Sequence, residues 1–99
     1  MEKRIFSLTI SKKAKRDIIE IHNYISIDSH KYALKIVQEF LKAFETIKKF
    51  PKIGKKYPMK FKNHSKMYEF HYRSYRIIYS IKENNIYILT IIHQAQNIK

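Results

Sequence analysis

The chain has 99 residues and a formal net charge of +13 at pH 7, from 21 Lys and Arg against 8 Asp and Glu. This length can bury one modest core, so a single domain over residues 1–99 is expected. A hydrophobic content of 44% excludes a disordered tail, apolar runs of only four or five residues exclude a membrane-spanning helix, and the lack of cysteine excludes disulfide and thiolate chemistry.

The first predicted element is a strand over 4–10, where Ile5, Phe6, Leu8 and Ile10 give a mostly alternating apolar pattern. Ser11 then offers a helix N-cap. From Lys12 the apolar positions Ala14, Ile18, Ile21 and Ile25 recur at spacings of four, three and four, as one face of an amphipathic helix requires. The polar break from Ser26 to His30 ends it, and Asp28 or Ser29 can cap a second helix on Ala33, Val37, Phe40, Phe44 and Ile47. So short a turn predicts an antiparallel helical hairpin. The helix aromatics Tyr24, Phe40 and Phe44 have core spacing.

Pro51 and Gly54 stop the second helix and open the one long connection, 51–66, which holds both prolines, the only glycine and Lys52, Lys55, Lys56, Lys60, Lys62 and Lys66. Segments 67–72, 75–82 and 86–93 read as strands, the last two joined in a tight hairpin through Glu83, Asn84 and Asn85. The order is βααβββ, an α+β fold. Pairs such as Ile77-Ile78 and Ile91-Ile92 blur the alternation, so the strand assignment rests on β-branched and aromatic enrichment.

Charge is the strongest compositional signal, because +13 on 12.1 kDa attracts polyanions over long range. AT-rich codon usage explains abundant lysine but not the scarcity of acids. No signal-peptide pattern opens the chain, since charges resume at Lys12 after a short apolar stretch, and a cytoplasmic location is expected. Within the strand segment Tyr72-Arg73-Ser74-Tyr75-Arg76-Ile77-Ile78-Tyr79, two arginines stand among tyrosines. A guanidinium on a strand is costly unless it reaches solvent or an anion, and its fork suits phosphate or carboxylate. The plainer alternative is an arginine lying over the sheet edge, or paired with Glu69 on the neighbouring strand.

Taken in order, Ala14-Lys15-Arg16-Asp17-Ile18, Ile21-His22-Asn23-Tyr24-Ile25, the Phe40 to Ile47 apolar face, Phe50-Pro51-Lys52-Ile53-Gly54-Lys55, Tyr75-Arg76-Ile77-Ile78-Tyr79 and Ile88-Leu89-Thr90-Ile91-Ile92-His93 resemble the RelE/ParE superfamily of type II toxin–antitoxin toxins. The resemblance spans nearly the whole chain. It implies a small curved antiparallel sheet packed against the N-terminal helical hairpin, and an acidic cognate antitoxin that wraps and silences the toxin. RelE-like members cut mRNA on the ribosome without metal, whereas ParE-like members poison DNA gyrase.

If the chain cuts RNA, attack of a 2′-hydroxyl on the adjacent phosphate needs a base, an acid and positive charge at the transition state. Arg76 matches the superfamily's sheet arginine and is the first candidate for phosphate stabilisation, with Arg73 second. His93 at the end of the last strand leads the acid–base candidates, ahead of His71, Glu69 and the lysines. No His or acid pair has metal-ligand spacing, so neither metal nor other cofactor is expected. Lys52, Lys55, Lys56, Lys60 and Lys62, interleaved with Tyr57 and Phe61, form the candidate RNA-binding surface, with point charges for phosphates and rings for bases. One departure matters: after His93 the chain reads Gln94-Ala95-Gln96-Asn97-Ile98-Lys99, where many nuclease members carry an arginine. The expected function is therefore a ribosome-dependent mRNA endonuclease, with a gyrase inhibitor, or a decayed toxin or basic nucleic-acid-binding domain, as the alternatives. For the antitoxin, the first helix and the exposed strand face are the candidate docking surface.

Overall fold

Ser11 organises the junction between the first strand and the first helix. In the computed structural model, which describes residues 5–58 and 66–93, β1 (Ser7–Ile10) runs directly into α1 (Lys12–Ser26). The Ser11 hydroxyl accepts the Ala14 amide at 3.0 Å, the N-cap that the sequence offers. Ser29 caps α2 (His30–Lys49) in the same way, accepting the Tyr32 amide at 3.1 Å. The two helices form the expected hairpin. No helix among the described residues is long and apolar enough to cross a membrane.

Four further strands complete one five-stranded sheet: β2 (Lys55–Lys56), β3 (Met67–Tyr72), β4 (Tyr75–Lys82) and β5 (Asn85–His93), in the order β1-β5-β4-β3-β2. The α+β architecture is thus as expected, with two refinements. Lys55 and Lys56, expected in an irregular connection, pair antiparallel with Glu69 and Tyr68 as a short edge strand. β1 joins β5 in parallel, from Ser7 opposite Asn85 to Ile10 opposite Ile88, whereas every other pairing is antiparallel. A sequence pattern reports the period of a strand but not the direction of its partner.

The core lies between the helices and one face of the sheet. Phe40, Phe44, Ile47, Ile36 and Ala43 from α2 and Ala14 from α1 meet Tyr68, Ile77, Tyr79, Ile86, Ile88 and Ile91. Tyr24 departs from expectation: its spacing is helical, but it stands 77% exposed, because α1 turns that flank away from the sheet. The blurred alternation also has a physical source. β4 is the central strand and is buried on both faces, so Ile77, Ile78, Tyr79 and Ser80 are all inaccessible. On β5 the register steps from Ile78 opposite Thr90 to Tyr79 opposite Ile88, leaving Leu89 as a bulge. The bulge resets the pleat, so that Ile86, Ile88 and Ile91 all reach the core.

Beyond Ile10, β5 has no strand neighbour on its β1 side among the described residues, and Ser11 and α1 supply partners through one backbone amide and two side chains. The Ser11 amide donates to the Ile88 carbonyl at 3.0 Å and its hydroxyl to the Leu89 carbonyl at 2.9 Å. Six residues on, the buried Asp17 carboxylate accepts the Ile91 amide at 3.0 Å and the Thr90 hydroxyl at 2.6 Å, and pairs with Lys13 at 2.8 Å. Burial alone would raise the Asp17 pKa; the hydrogen bonds from Lys13, Thr90 and Ile91 outweigh it and hold the carboxyl below its usual value.

At the far end of α2, Tyr79 anchors the chain reversal. Its buried hydroxyl donates to the Pro51 carbonyl at 2.7 Å and accepts the Gly54 amide at 3.1 Å. Gly54 sits so close to β3 that a Cβ would lie 2.7 Å from the Glu69 carbonyl oxygen and 2.9 Å from the Tyr79 hydroxyl. Only glycine fits without displacing β2.

Two outcomes are expected. Asp17→Ala leaves the Ile91 amide without its acceptor and should cost about 2–3 kcal/mol in urea denaturation at neutral pH. Because the native pKa is depressed, this contribution is complete above about pH 4 and fades as pH falls through the lowered value, so wild type and variant should converge in acid. Gly54→Ala should cost about 1–3 kcal/mol through the clash with β3, read as a lowered denaturation midpoint.

Candidate functional site

β4 has two faces, and the candidate residues are divided between them. Tyr75, opposite His93 in the ladder, packs edge-on against Phe40 of α2 at 5.1 Å and therefore points toward the helices. Arg76, opposite Ile92 on β5 and His71 on β3, points the other way. The sheet therefore separates Arg76 from His93, although they lie on neighbouring strands.

On the face away from the helices, Arg76 is already engaged. Its Nη1 lies 3.1 Å from Glu69 Oε1, and the His71 ring nitrogen lies 3.2 Å from the same oxygen. The Arg76 side chain is 22% exposed and Glu69 14%. Arg76 Nε is buried without a hydrogen-bond partner, so the guanidinium meets Glu69 through Nη1 and leaves Nε unpaired. Lys55 stands opposite Glu69 in the β2–β3 ladder. The arrangement is the cross-strand ion pair that the sequence offers as the plainer alternative.

Arg73 occupies the two-residue turn between β3 and β4. Its φ of 55° is a left-handed conformation that costs an ordinary side chain about 1–2 kcal/mol. Its Nε lies 3.1 Å from Glu39 Oε1 of α2, and its guanidinium sits over the Tyr72 ring at 5.6 Å. A hydrogen bond from Tyr72 and the Arg73 charge hold Glu39 below its usual pKa despite desolvation; in return, the Tyr72 contact and Glu39 keep Arg73 firmly protonated. Glu39 escaped the sequence reading because a lone acid on a helix has no signature. Only its distance to the turn reveals its role.

Arg73 and His93, unlike Arg76, meet at a common cleft of about 970 Å³ between the helical hairpin and the ends of β4 and β5. Tyr24, Tyr32 and Tyr75 also line it, and His93 stacks edge-on to Tyr75 at 4.9 Å. Burial pushes the Tyr75 hydroxyl pKa up, so this phenol stays neutral at physiological pH. The cleft thus presents a cation held in place, an imidazole and three phenolic rings.

The basic surface lies elsewhere. Lys52, Lys55 and Lys56 are exposed, and none has an ion-pair partner among the described residues. Tyr57 is half-buried and extends the β2–β3 pairing by donating its amide to the Met67 carbonyl at 2.8 Å. The candidate residues Lys60, Phe61 and Lys62 lie outside the described residues.

The comparisons with known proteins agree with this architecture. A family described as the ParE toxin of the type II toxin–antitoxin system parDE matches residues 8–98. Among solved structures, the chromosomal ParDE system from P. aeruginosa is similar with a TM-score of 0.74 at 20% identity, over 92% of this chain and 98% of that one. The RelBE2 toxin–antitoxin complex from Mycobacterium tuberculosis gives 0.65 at 20% identity, over 95% and 97%. The archaeal RelE–RelB complex from Pyrococcus horikoshii gives 0.62 at 15% identity, over 93% and 98%. No curated protein sequence matches significantly. At these identities the solved structures establish a shared fold, while the family match runs through both helices and every described strand. The chain therefore belongs to the ParE toxin family of type II toxin–antitoxin systems, within the RelE/ParE superfamily.

Proposed function

We propose that this toxin arrests growth by binding DNA gyrase, without chemistry of its own, and is silenced by an acidic antitoxin. The observation that carries the reading is the division of the nuclease candidates. Arg76 is paired with Glu69 through Nη1 and faces away from His93, so phosphate stabilisation and proton transfer cannot converge from these two residues on one scissile bond. The family match, which is to the ParE branch, supports the same reading. A toxin that works as a protein ligand needs an attractive surface rather than an assembled acid–base pair. Lys52, Lys55 and Lys56 supply charge toward a DNA-laden target, and they act as point charges that tolerate imperfect geometry. The exposed strand face and α1 remain the surfaces offered to the antitoxin.

A second reading has a specific observation behind it. Arg73 and His93 share the larger cleft, so an RNA-cutting activity, if present, would place Arg73 at the phosphate and His93 in proton transfer. Arg76 would then hold the sheet rather than the substrate.

Both readings are separated by assaying the purified toxin in parallel for gyrase supercoiling and for new mRNA 5′ ends in a bacterial translation extract. Inhibited supercoiling with intact mRNA is the expected result. Cuts at codon spacing that disappear in Arg73→Ala would replace it with the nuclease. Arg76→Ala should lower stability by about 1–2 kcal/mol, since Glu69 loses a partly buried partner, yet should retain growth arrest when expressed below its denaturation temperature. Loss of arrest from a folded Arg76→Ala protein would return Arg76 to the functional surface.

A further inference from the structure

α2 buries one side, with Ala33, Ile36, Phe40, Ala43, Phe44 and Ile47 in the core, and turns the other outward. With about 3.6 residues per turn, the outward side is centred on Leu34, Gln38, Leu41 and Glu45. Leu34 and Leu41 stand 57% and 49% exposed, two turns and about 10 Å apart along the axis. α1 packs beside α2, and its own outward side, opposite Ala14, Ile18, Ile21 and Ile25, adds Ile19 and Ile27 at 57% and 80% exposed. Single exposed aliphatics need no explanation, but four on the outward side of one helical layer mark an interaction surface.

Cations border the leucines. Lys31, Lys35, Lys42 and Lys49 fall in a row along one flank of the Leu34–Leu41 line, by helical spacing. All four are exposed, and none has an ion-pair partner among the described residues. Glu45 is the acid on the centre line, while Glu39, beyond the lysine flank, is taken by Arg73. A second copy of the chain would bring one lysine row against another on molecules that each carry +13. A nucleic acid would satisfy the lysines, but leucine has no π face on which a base could stack. A lipid surface with anionic headgroups answers both halves: phosphates meet the ammonium groups on their flexible stems, and the aliphatic side chains enter the boundary between headgroups and acyl chains.

We infer that the outward side of the helical hairpin, led by α2, docks on an anionic membrane surface. α2 lies along that surface with Leu34 and Leu41 inserted and the lysine row on the headgroups. The lysines draw the chain in at long range and the leucines hold it by burial, so binding needs both and weakens with salt. The docking uses neither Arg76 nor the Arg73–His93 cleft, and it stands whether the toxin acts on gyrase or on mRNA.

The test sediments the full chain with vesicles of phosphatidylcholine containing one third phosphatidylglycerol, and with vesicles of phosphatidylcholine alone. Binding to the first and not the second is expected, weakened at least tenfold by the double substitution Leu34→Ser and Leu41→Ser. Both positions are exposed, and circular dichroism verifies the fold. Lys35→Gln with Lys42→Gln should weaken binding several-fold more than Lys56→Gln with Lys82→Gln, which removes the same charge from exposed strand positions. Because the chain has no cysteine, Gln38→Cys and Asn84→Cys can each carry a single nitrobenzoxadiazole label. On binding, emission from position 38 should shift to the blue and that from position 84, in the β4–β5 turn, should not. Undiminished binding of the leucine variant, equal effects of the two lysine pairs, or equal shifts at both labels would reduce the contact to adsorption of a cation and overturn the proposal. So would the absence of vesicle binding. A dimer in sedimentation equilibrium that the leucine variant abolishes would assign the face to a second copy, and oligothymidylate binding with the same leucine dependence would assign it to nucleic acid; either would also overturn it.

Discussion

A strand longer than its neighbour has to satisfy its remaining backbone groups in some other way, and β5 does so with α1. β1 ends at Ile10, opposite Ile88, while β5 continues to His93. Ser11 and Asp17 take over as partners for Ile88, Leu89 and Ile91, through the Ser11 amide and the two side chains, in place of a ladder. This polar seam ties the start of α1 to the bulged region of β5, and the bulge in turn brings Ile91 into the core. The Arg73–His93 cleft adjoins the same seam, since Lys13, Asp17, Thr90 and Ile91 are among its lining residues.

The opposite end depends on Tyr79. Its hydroxyl joins the Pro51 carbonyl to the Gly54 amide, so two separated landmarks of the sequence, the Pro-Lys-Ile-Gly turn and the tyrosine that closes the arginine motif, form one physical unit. That unit sets the angle at which the chain leaves α2 and brings β2 against β3. It also leaves Phe50 and Ile53 outside the core, where they line a second cleft of about 880 Å³. Each end of β4 thus has its own anchor and its own opening.

The distribution of cations follows a consistent division. The two strand-region arginines each lie against an internal carboxylate, Arg76 with Glu69 and Arg73 with Glu39. Their rigid forks help fix the sheet and its turn. Most of the net charge is carried by lysines at exposed positions on the helices and around β2. Such charges are strongly hydrated and mobile, which favours long-range attraction over oriented chemistry.

Much of this was legible in the residues. Helical spacing, the Ser11 and Ser29 caps and the breakers Pro51 and Gly54 depend on local chemistry, so both helices and the three long strands could be placed from sequence, and ordered motifs were enough to indicate the superfamily. The parallel pairing of β1, the short β2 and the Leu89 bulge could not be read, because each is a property of the partner strand rather than of the segment itself. The same limit governed the site. Sequence supplied Arg73, Arg76 and His93 as candidates, but strand parity put Arg76 and His93 on opposite faces, and contacts from Glu69 and Glu39 decided which guanidinium edges were already used. Sequence by itself determined the elements, the charge and the kind of fold. Which charged groups share a space was decided only by the tertiary structure, because it depends on register across strands and on helix packing, and neither is encoded in any one segment.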